Sequence, residues 1–413
     1  MKGKLARSSL QTSVLLGLRV STQAVVLVLL TRLLGPQMYG GFASASSLAV
    51  VLGILPNLGS GYVMMARAPR SSIAVDEVWR YAWPLTVLLG LLLLTAYLPT
   101  AYLIGGASPL SWPVLCCLGI TELLATPFTM LLSFALQAHQ RVPMSQFVQW
   151  LPLSLRVFAV LPCFAIAESA RLPTYALLQM FAALIGLGIG FVITKRMVIL
   201  HWRPRWPDKQ ELGQGTSYAA MHLVAVNPSE LDKVLAVRLV GEHDAGIYAA
   251  TARVMGALVM PVIAMLLAAQ PRLFRHAHEP TDQGHRLIRV IALLAFGWGL
   301  LCWLLLSLCG PLLPLLFGSR FAAMAPLMPW LAVIAVPLSL RLAGGTVLVA
   351  LGRPLERLGF ELSGIAVLVA AMLLLGPMLG IRGLSLALLI SESSMTVIGW
   401  WLVWQRTRQW VDR

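Results

Sequence analysis

Five cationic side chains, Arg19, Arg156, Lys233, Arg253 and Arg341, fall inside stretches otherwise apolar enough to cross a bilayer. A charge at the centre of such a stretch costs about 2.5–3.5 kcal/mol on insertion scales, so each must face a bundle interior or a water-filled cavity. Two kinds of partner would offset that cost. The carboxylates of Glu122, Glu230, Asp232, Glu361 and Glu392 lie in comparable stretches and match the cations one for one. An anionic ligand would serve equally, through charge-assisted bonds to its phosphate oxygens. Arg19, Arg156 and Lys233 suit a diphosphate best, because two lie in one half of the chain and one in the other. For each of them a local salt bridge explains the charge equally well. Arg253 and Arg341 are weaker candidates, Arg253 being just as suited to tying helices together. Asp232 is better placed to fix Lys233 or the adjoining hairpin than to carry protons.

Spacing indicates which helices would line such a cavity. Glu122, Thr126, Thr129, Ser133 and Gln137 recur at steps of 4, 3, 4 and 4, which draws one polar stripe along a single helix face. Ser8, Thr12, Arg19 and Gln23 recur at 4, 7 and 4, again on one face. Hydrogen bonding between helices is the other use of such stripes. His222, Ser229 and Lys233 follow at 7 and 4, but Asn227, Pro228, Glu230 and Asp232 interrupt that stretch. It reads as a bent or discontinuous helix, a common device around membrane-embedded binding sites.

The elements that carry these residues follow from composition. With 58% hydrophobic and 11% charged residues and a mean hydropathy of +0.81, the chain cannot be a water-soluble domain. A hydrocarbon core about 30 Å thick needs roughly 20 apolar residues per crossing helix. Twelve stretches qualify: 10–34, 40–65, 81–104, 113–138, 146–167, 175–194, 215–240, 244–268, 289–309, 324–350, 358–380 and 383–405. Their length and lack of alternation predict helices rather than a barrel.

Lys and Arg are distributed as the positive-inside rule requires, with the densest group, Lys195, Arg196, Arg203, Arg205 and Lys209, in one inner loop. Arg32, Arg171, Arg238, Arg320 and Arg382 stand singly in the outer ones, which places both termini in the cytoplasm. This bias, with attraction to anionic headgroups, accounts for most of the net charge of +15 and leaves no need for a nucleic-acid partner. Arg19 interrupts the first apolar run too early for a cleaved signal peptide, so that run is expected to be the first membrane helix. Cys116, Cys117, Cys163, Cys302 and Cys309 fall within spans and read as small apolar residues rather than disulfides.

A repeat supplies the organisation. "TRLLGPQMYGGFA" at residues 31–43 reappears 206 residues later as "VRLVGEHDAGIYA", so that Arg32, Gly35 and Gly40 meet Arg238, Gly241 and Gly246, and Phe42 meets Tyr248. Both copies occupy the same point of a helix, short outer turn, helix unit, with six spans between them. The expected architecture is therefore a parallel duplication with lobes 1–200 and 211–413, residues 201–210 ending the basic, Pro-containing inner linker. Gly35 and Gly241 would end one helix, Gly40 and Gly246 would let the returning helix pack closely, and Arg32 and Arg238 would snorkel to the outer interface.

"RLLGPQMYGGFA" and "LDKVLAVRLVGEHDAGIYAATARV" resemble the two matching hairpins of Wzx-type flippases, the polysaccharide transporter family of the multidrug/oligosaccharidyl-lipid/polysaccharide superfamily. "LLFGSRFAAMAPLMPWLA" at 315–332 resembles them more weakly, and His243 and Asp244 depart from the pattern. The resemblance implies an all-α polytopic membrane protein with two pseudo-symmetric six-helix lobes around a central cavity opening alternately to each side. It implies a secondary transporter that flips a polyprenyl-diphosphate-linked oligosaccharide, such as an O-antigen, capsule or exopolysaccharide unit, across the bacterial cytoplasmic (inner) membrane. Glycan polymerases, glycosyltransferases and membrane lipids are the implied partners; no cofactor or metal is implied. In that setting Glu122 is the best-placed coupling acid, with Thr126, Gln23, Glu361 and Glu392 as further polar or acidic cavity residues. Substrate itself or a cation gradient are the alternative driving forces.

Other signals are weaker. "GLGIG" at 186–190 lacks the βαβ context of a dinucleotide fingerprint, so Gly186 and Gly190 form a helix-packing face instead. His276 and His278 have no further clustered ligands. The sequence holds no P-loop and no nucleophile elbow, so binding rather than bond making is expected. Two rivals remain: a small-molecule or drug exporter of the same superfamily, for which five internal cations are a poor match if its substrates are organic cations, and a membrane glycan polymerase or ligase, which wants a larger outer loop than this chain offers.

Overall fold

The computed structural model describes residues 2–68, 72–105, 110–226, 228–276 and 282–408. Every element among them is helical. The first compact unit, Met1–Val226, contains α1 (Lys2–Leu52), α2 (Ser60–Arg67), α3 (Ser72–Ile104), α4 (Trp112–Gly119), α5 (Thr126–Ala138), α6 (Val142–Val160), α7 (Glu168–Met197) and α8 (Lys209–Val226). The second, Asn227–Arg413, contains α9 (Pro228–Val240), α10 (Glu242–His276), α11 (Asp282–Cys309), α12 (Leu313–Phe317), α13 (Met324–Ala332), α14 (Ala335–Ala350), α15 (Pro354–Leu379) and α16 (Ile381–Arg408).

Among the described residues, ten helical stretches are long and apolar enough to cross a membrane. Two local features account for the difference from the twelve expected spans. The first two merge into one stretch, Gln11–Leu52, because α1 continues through Gly35 with almost no loop. Gly35 takes φ 68° and ψ 173°, and Pro36 follows it with no N–H to lose. The seventh expected span, 215–240, is divided into α8 and α9. Asn227, singled out at that break, lies outside the described residues.

The boundary between the units falls at 226/227 rather than within 201–210. The reason is local packing: α8 is bound to the first unit. A Cβ on Gly59 (φ 66°) would collide with the backbone carbonyl of Gly215, and one on Gly215 would lie 2.5 Å from the Leu58 carbonyl. Tyr218 stacks on Tyr62 at 5.7 Å, and Glu211 at the start of α8 pairs with Arg67 at 2.9 Å. The small-residue face on α7 packs against α6: a Cβ on Gly186 would come within 2.7 Å of Pro152, and one on Gly190 within 2.9 Å of Val148. In the second unit α15 turns into α16 through Gly380 (φ 58°), and α9 packs on α15 where Gly376 meets Leu239.

Candidate functional site

In the first unit the two polar stripes meet α6. Arg19 donates from Nη1 to the Gln149 side-chain oxygen at 2.7 Å, and the Gln149 amide donates to Ser133 Oγ at 2.5 Å. Gln137 donates to the same hydroxyl at 3.2 Å, and Ser133 donates in turn to the Ser145 carbonyl. One turn from Arg19, the Trp150 indole donates to Thr22 at 3.0 Å, so α1 is held to α6 at two points. Gln23 lies exposed on α1.

Seven residues along α6 from Gln149, two helical turns or about 10 Å, Arg156 donates to Glu122 at 2.8 Å. Glu122 is 6% exposed and sits in a π-helical turn, Ile120–Ala125, between α4 and α5. Such turns are uncommon inside helices and recur at functional positions. The turn is closely embraced: a Cβ on Gly53 would lie 2.5 Å from the Glu122 carbonyl, and one on Gly90 2.5 Å from that of Leu123. Thr126 is half-buried, and Thr129 returns its hydroxyl to the Ala125 carbonyl at 2.8 Å. The stripe therefore faces α6 at Glu122 and Ser133, while Thr129 bonds within its own helix. Gln179 on α7 is fully buried, and neither of its amide atoms has a hydrogen-bond partner among the described residues.

The second unit holds two buried ionic groups. The Asp232 carboxylate accepts from the Lys233 backbone at 2.8 Å and from its Nζ at 3.2 Å. Its other oxygen accepts from Tyr248 Oη at 2.8 Å, which joins α9 to α10 across the Gly241 turn (φ 82°). That bond also explains why the second hairpin carries Tyr where the first carries Phe42: a buried hydroxyl needs a partner, and Phe42 instead packs edge-on to Tyr175. Arg341 on α14 lies 2.7 Å from Glu392 on α16 and 3.8 Å from Glu361 on α15, and Arg357 donates to Glu361 at 3.0 Å. Three helices are thus closed around two cations and two carboxylates. Arg253 is half-buried on α10. Arg32, three residues before the Gly35 break in α1, and Arg238, in the last turn of α9, are exposed, and Gly40 and Gly246 are buried.

Charge bookkeeping separates Arg19 from the other paired cations. Arg156, Lys233 and Arg341 each lie against a carboxylate. Among the described residues Arg19 makes no ion pair and meets the neutral Gln149 instead. Sequence reasoning passed over Gln149, although its spacing of seven from Arg156 puts both on one face of α6, and over Tyr248 as a polar group. No group of three or more metal-ligating side chains occurs among the described residues; His278 lies outside them.

The family model described as polysaccharide biosynthesis protein matches residues 8–276. The chain belongs to that family. Its fold is that of solved MATE transporters. An inward-facing multidrug resistance MATE transporter of the MOP superfamily superposes with TM-score 0.81 at 14% identity, covering 95% of this chain and 96% of the other. An outward-facing one gives 0.68 at 15% identity, with 98% and 96% covered. A MATE protein in complex with MaL6 gives 0.68 at 15%, with 99% and 96% covered. No curated protein matches the chain. Among the described residues this chain has ten helices long and apolar enough to cross a membrane, which makes it a multi-pass membrane protein.

Proposed function

We propose that this member of the polysaccharide biosynthesis family is a secondary transporter that moves a polyprenyl-diphosphate-linked oligosaccharide from the inner to the outer leaflet by alternating access, without bond making. The observation that carries the reading is Arg19: a cation on a membrane helix, hydrogen-bonded at 2.7 Å to a neutral amide and with no ion pair among the described residues. An intramembrane cation left in that state is costly, and a diphosphate is the acceptor that offsets it. Within the first unit Arg156 would join the grip by exchanging Glu122 for substrate, which gives Glu122 the coupling or release role; in the second unit Asp232 would fix Lys233. A charged head crossing inside such a cavity avoids desolvation in hydrocarbon. The location proposed is the bacterial inner membrane with both termini cytoplasmic, and glycosyltransferases and a polymerase would be the functional neighbours.

The test is mass spectrometry of lipids extracted from a strain lacking the protein, complemented at matched expression with wild type, Arg19→Ala, Arg156→Ala or Lys233→Ala. A complete lipid-linked oligosaccharide is expected to accumulate in the deletion, to clear with wild type and to persist with Arg19→Ala. Purified Arg19→Ala should be as stable as wild type, because the insertion cost of about 2.5–3.5 kcal/mol goes with the charge. An unchanged lipid profile would refute the glycan reading and favour the second one, export of a small molecule, which the multidrug transporters sharing this fold support.

A further inference from the structure

The segment between α7 and α8 is a fixed strap, not a slack linker. His201 is held to Asp76 through its backbone N–H at 2.7 Å and its Nδ1 at 3.0 Å. Arg205 donates its backbone N–H to the Arg80 carbonyl and its Nε to the Glu77 carbonyl, at 3.1 and 3.0 Å, and Arg80 Nε returns a bond to the Arg203 carbonyl. Arg205 also reaches Glu211 at 2.5 Å; burial pulls its pKa down, but the bond to Glu211 together with the negative charge around it, from Glu211 and Glu77, raises it overall. The Trp202 ring packs against Trp79 and Phe191, each at 5.1 Å.

A strap so tightly held nonetheless turns large apolar groups outward. Ile199 is 84% and Trp206 79% exposed. Ile199 stands at the lip of the cavity beneath the strap, and water is a poor neighbour for both side chains. The strap starts where α7, a helix long and apolar enough to span, ends in Lys195 and Arg196. That is the depth at which Trp and basic side chains meet headgroups. Beneath the strap lies a cavity of about 200 Å³ lined by Leu132, Phe191, Val198, Leu200 and Trp202 with Lys195 at its polar side. It is smaller than the roughly 300–1,000 Å³ of a typical small-molecule site, so it admits part of an acyl chain rather than a whole ligand. Of the acids on this face, Asp76 is committed to His201, Glu211 to Arg67 and Arg205, and Asp208 to the Glu211 N–H, while Glu77 lies near Arg205. Lys195, Arg196 and Arg203 are exposed and make no ion pair among the described residues.

We propose that the strap and the end of α7 form a binding site for one anionic phospholipid, its headgroup held by Lys195, Arg196 and Arg203 and one acyl chain entering the cavity beside Trp202. The site is separate from the transported substrate and needs only that α7 ends at a bilayer surface. The experiment is native mass spectrometry of the detergent-purified full-length protein titrated with phosphatidylglycerol or phosphatidylcholine, with inorganic phosphate as a third arm. Phosphatidylglycerol is expected to bind in preference, to lose about fivefold in affinity for each of Lys195→Gln and Arg196→Gln, and to be unaffected by Arg286→Gln elsewhere. Ile199→Asp, a surface change that keeps every cation, should weaken it too. Equal retention of both lipids, insensitivity to the Lys195 and Arg196 changes, or displacement by millimolar phosphate would overturn the proposal.

Discussion

Glu122 and Arg156 sit 2.8 Å apart with the carboxylate almost fully buried, so deleting the Arg156 charge strands the carboxylate. Breaking a buried pair costs about 3–5 kcal/mol, whereas removing both charges together can be nearly neutral. Arg156→Ala should therefore lower the unfolding temperature of the purified protein clearly, and adding Glu122→Gln should recover most of the loss. Failure of that recovery would mean that Arg156 is held by something other than Glu122. The same logic distinguishes Arg19, whose partner is an uncharged amide. The residue types were legible in the sequence because charges stand out in apolar runs. Which carboxylate meets which cation was not legible, since Glu122 and Arg156 are 34 residues apart and belong to different helices.

At the scale of elements, the helix breaks at Gly35 and Gly241 were readable from Gly spacing, because only glycine occupies the left-handed region without strain. Gly35 and Gly241 do so at φ 68° and 82°. Helix-to-helix approach sets the other element-scale constraint. A Cβ on Gly383 at the start of α16 would collide with the backbone carbonyl of Leu375, which cannot swing aside. Gly383→Ala should cost about 1–3 kcal/mol through overpacking. Gly188→Ala on α7, with nothing within 4 Å of the added methyl, should be neutral or stabilising by up to about 1 kcal/mol. Thermal unfolding of the two variants side by side checks the contrast; equal losses would mean that Gly383 is not tightly packed in the membrane-embedded protein. The π-helical turn at Ile120–Ala125 had no sequence signature, because one extra residue in a turn leaves an apolar run unchanged.

For the whole molecule, the arrangement of Lys and Arg predicts sidedness. Single cysteines placed in a cysteine-free background near Arg205 and Arg353 should be labelled from the cytoplasmic side, and those near Arg171 and Arg320 from the outside, by a membrane-impermeant thiol reagent in intact cells and inverted vesicles. Labelling of Arg205 and Arg171 positions from one side would break the proposed topology. The family assignment concerns the chain as a whole and rests on residues 8–276. Substrate chemistry rests on a few side chains within it.

Membrane residence, the all-helical fold and the set of charges needing partners were legible in the sequence alone. Each is written in local composition and spacing, which hydrocarbon thickness and backbone hydrogen bonding turn into helices. The tertiary structure decided the rest: that α8 belongs with the first unit, that Asp232 is shared by Lys233 and Tyr248, that Arg341 closes on Glu392, and that Arg19 meets Gln149 and no carboxylate among the described residues. These depend on which helix faces pack together, and apolar helices of similar composition carry little information about their neighbours until small residues and buried charges select them.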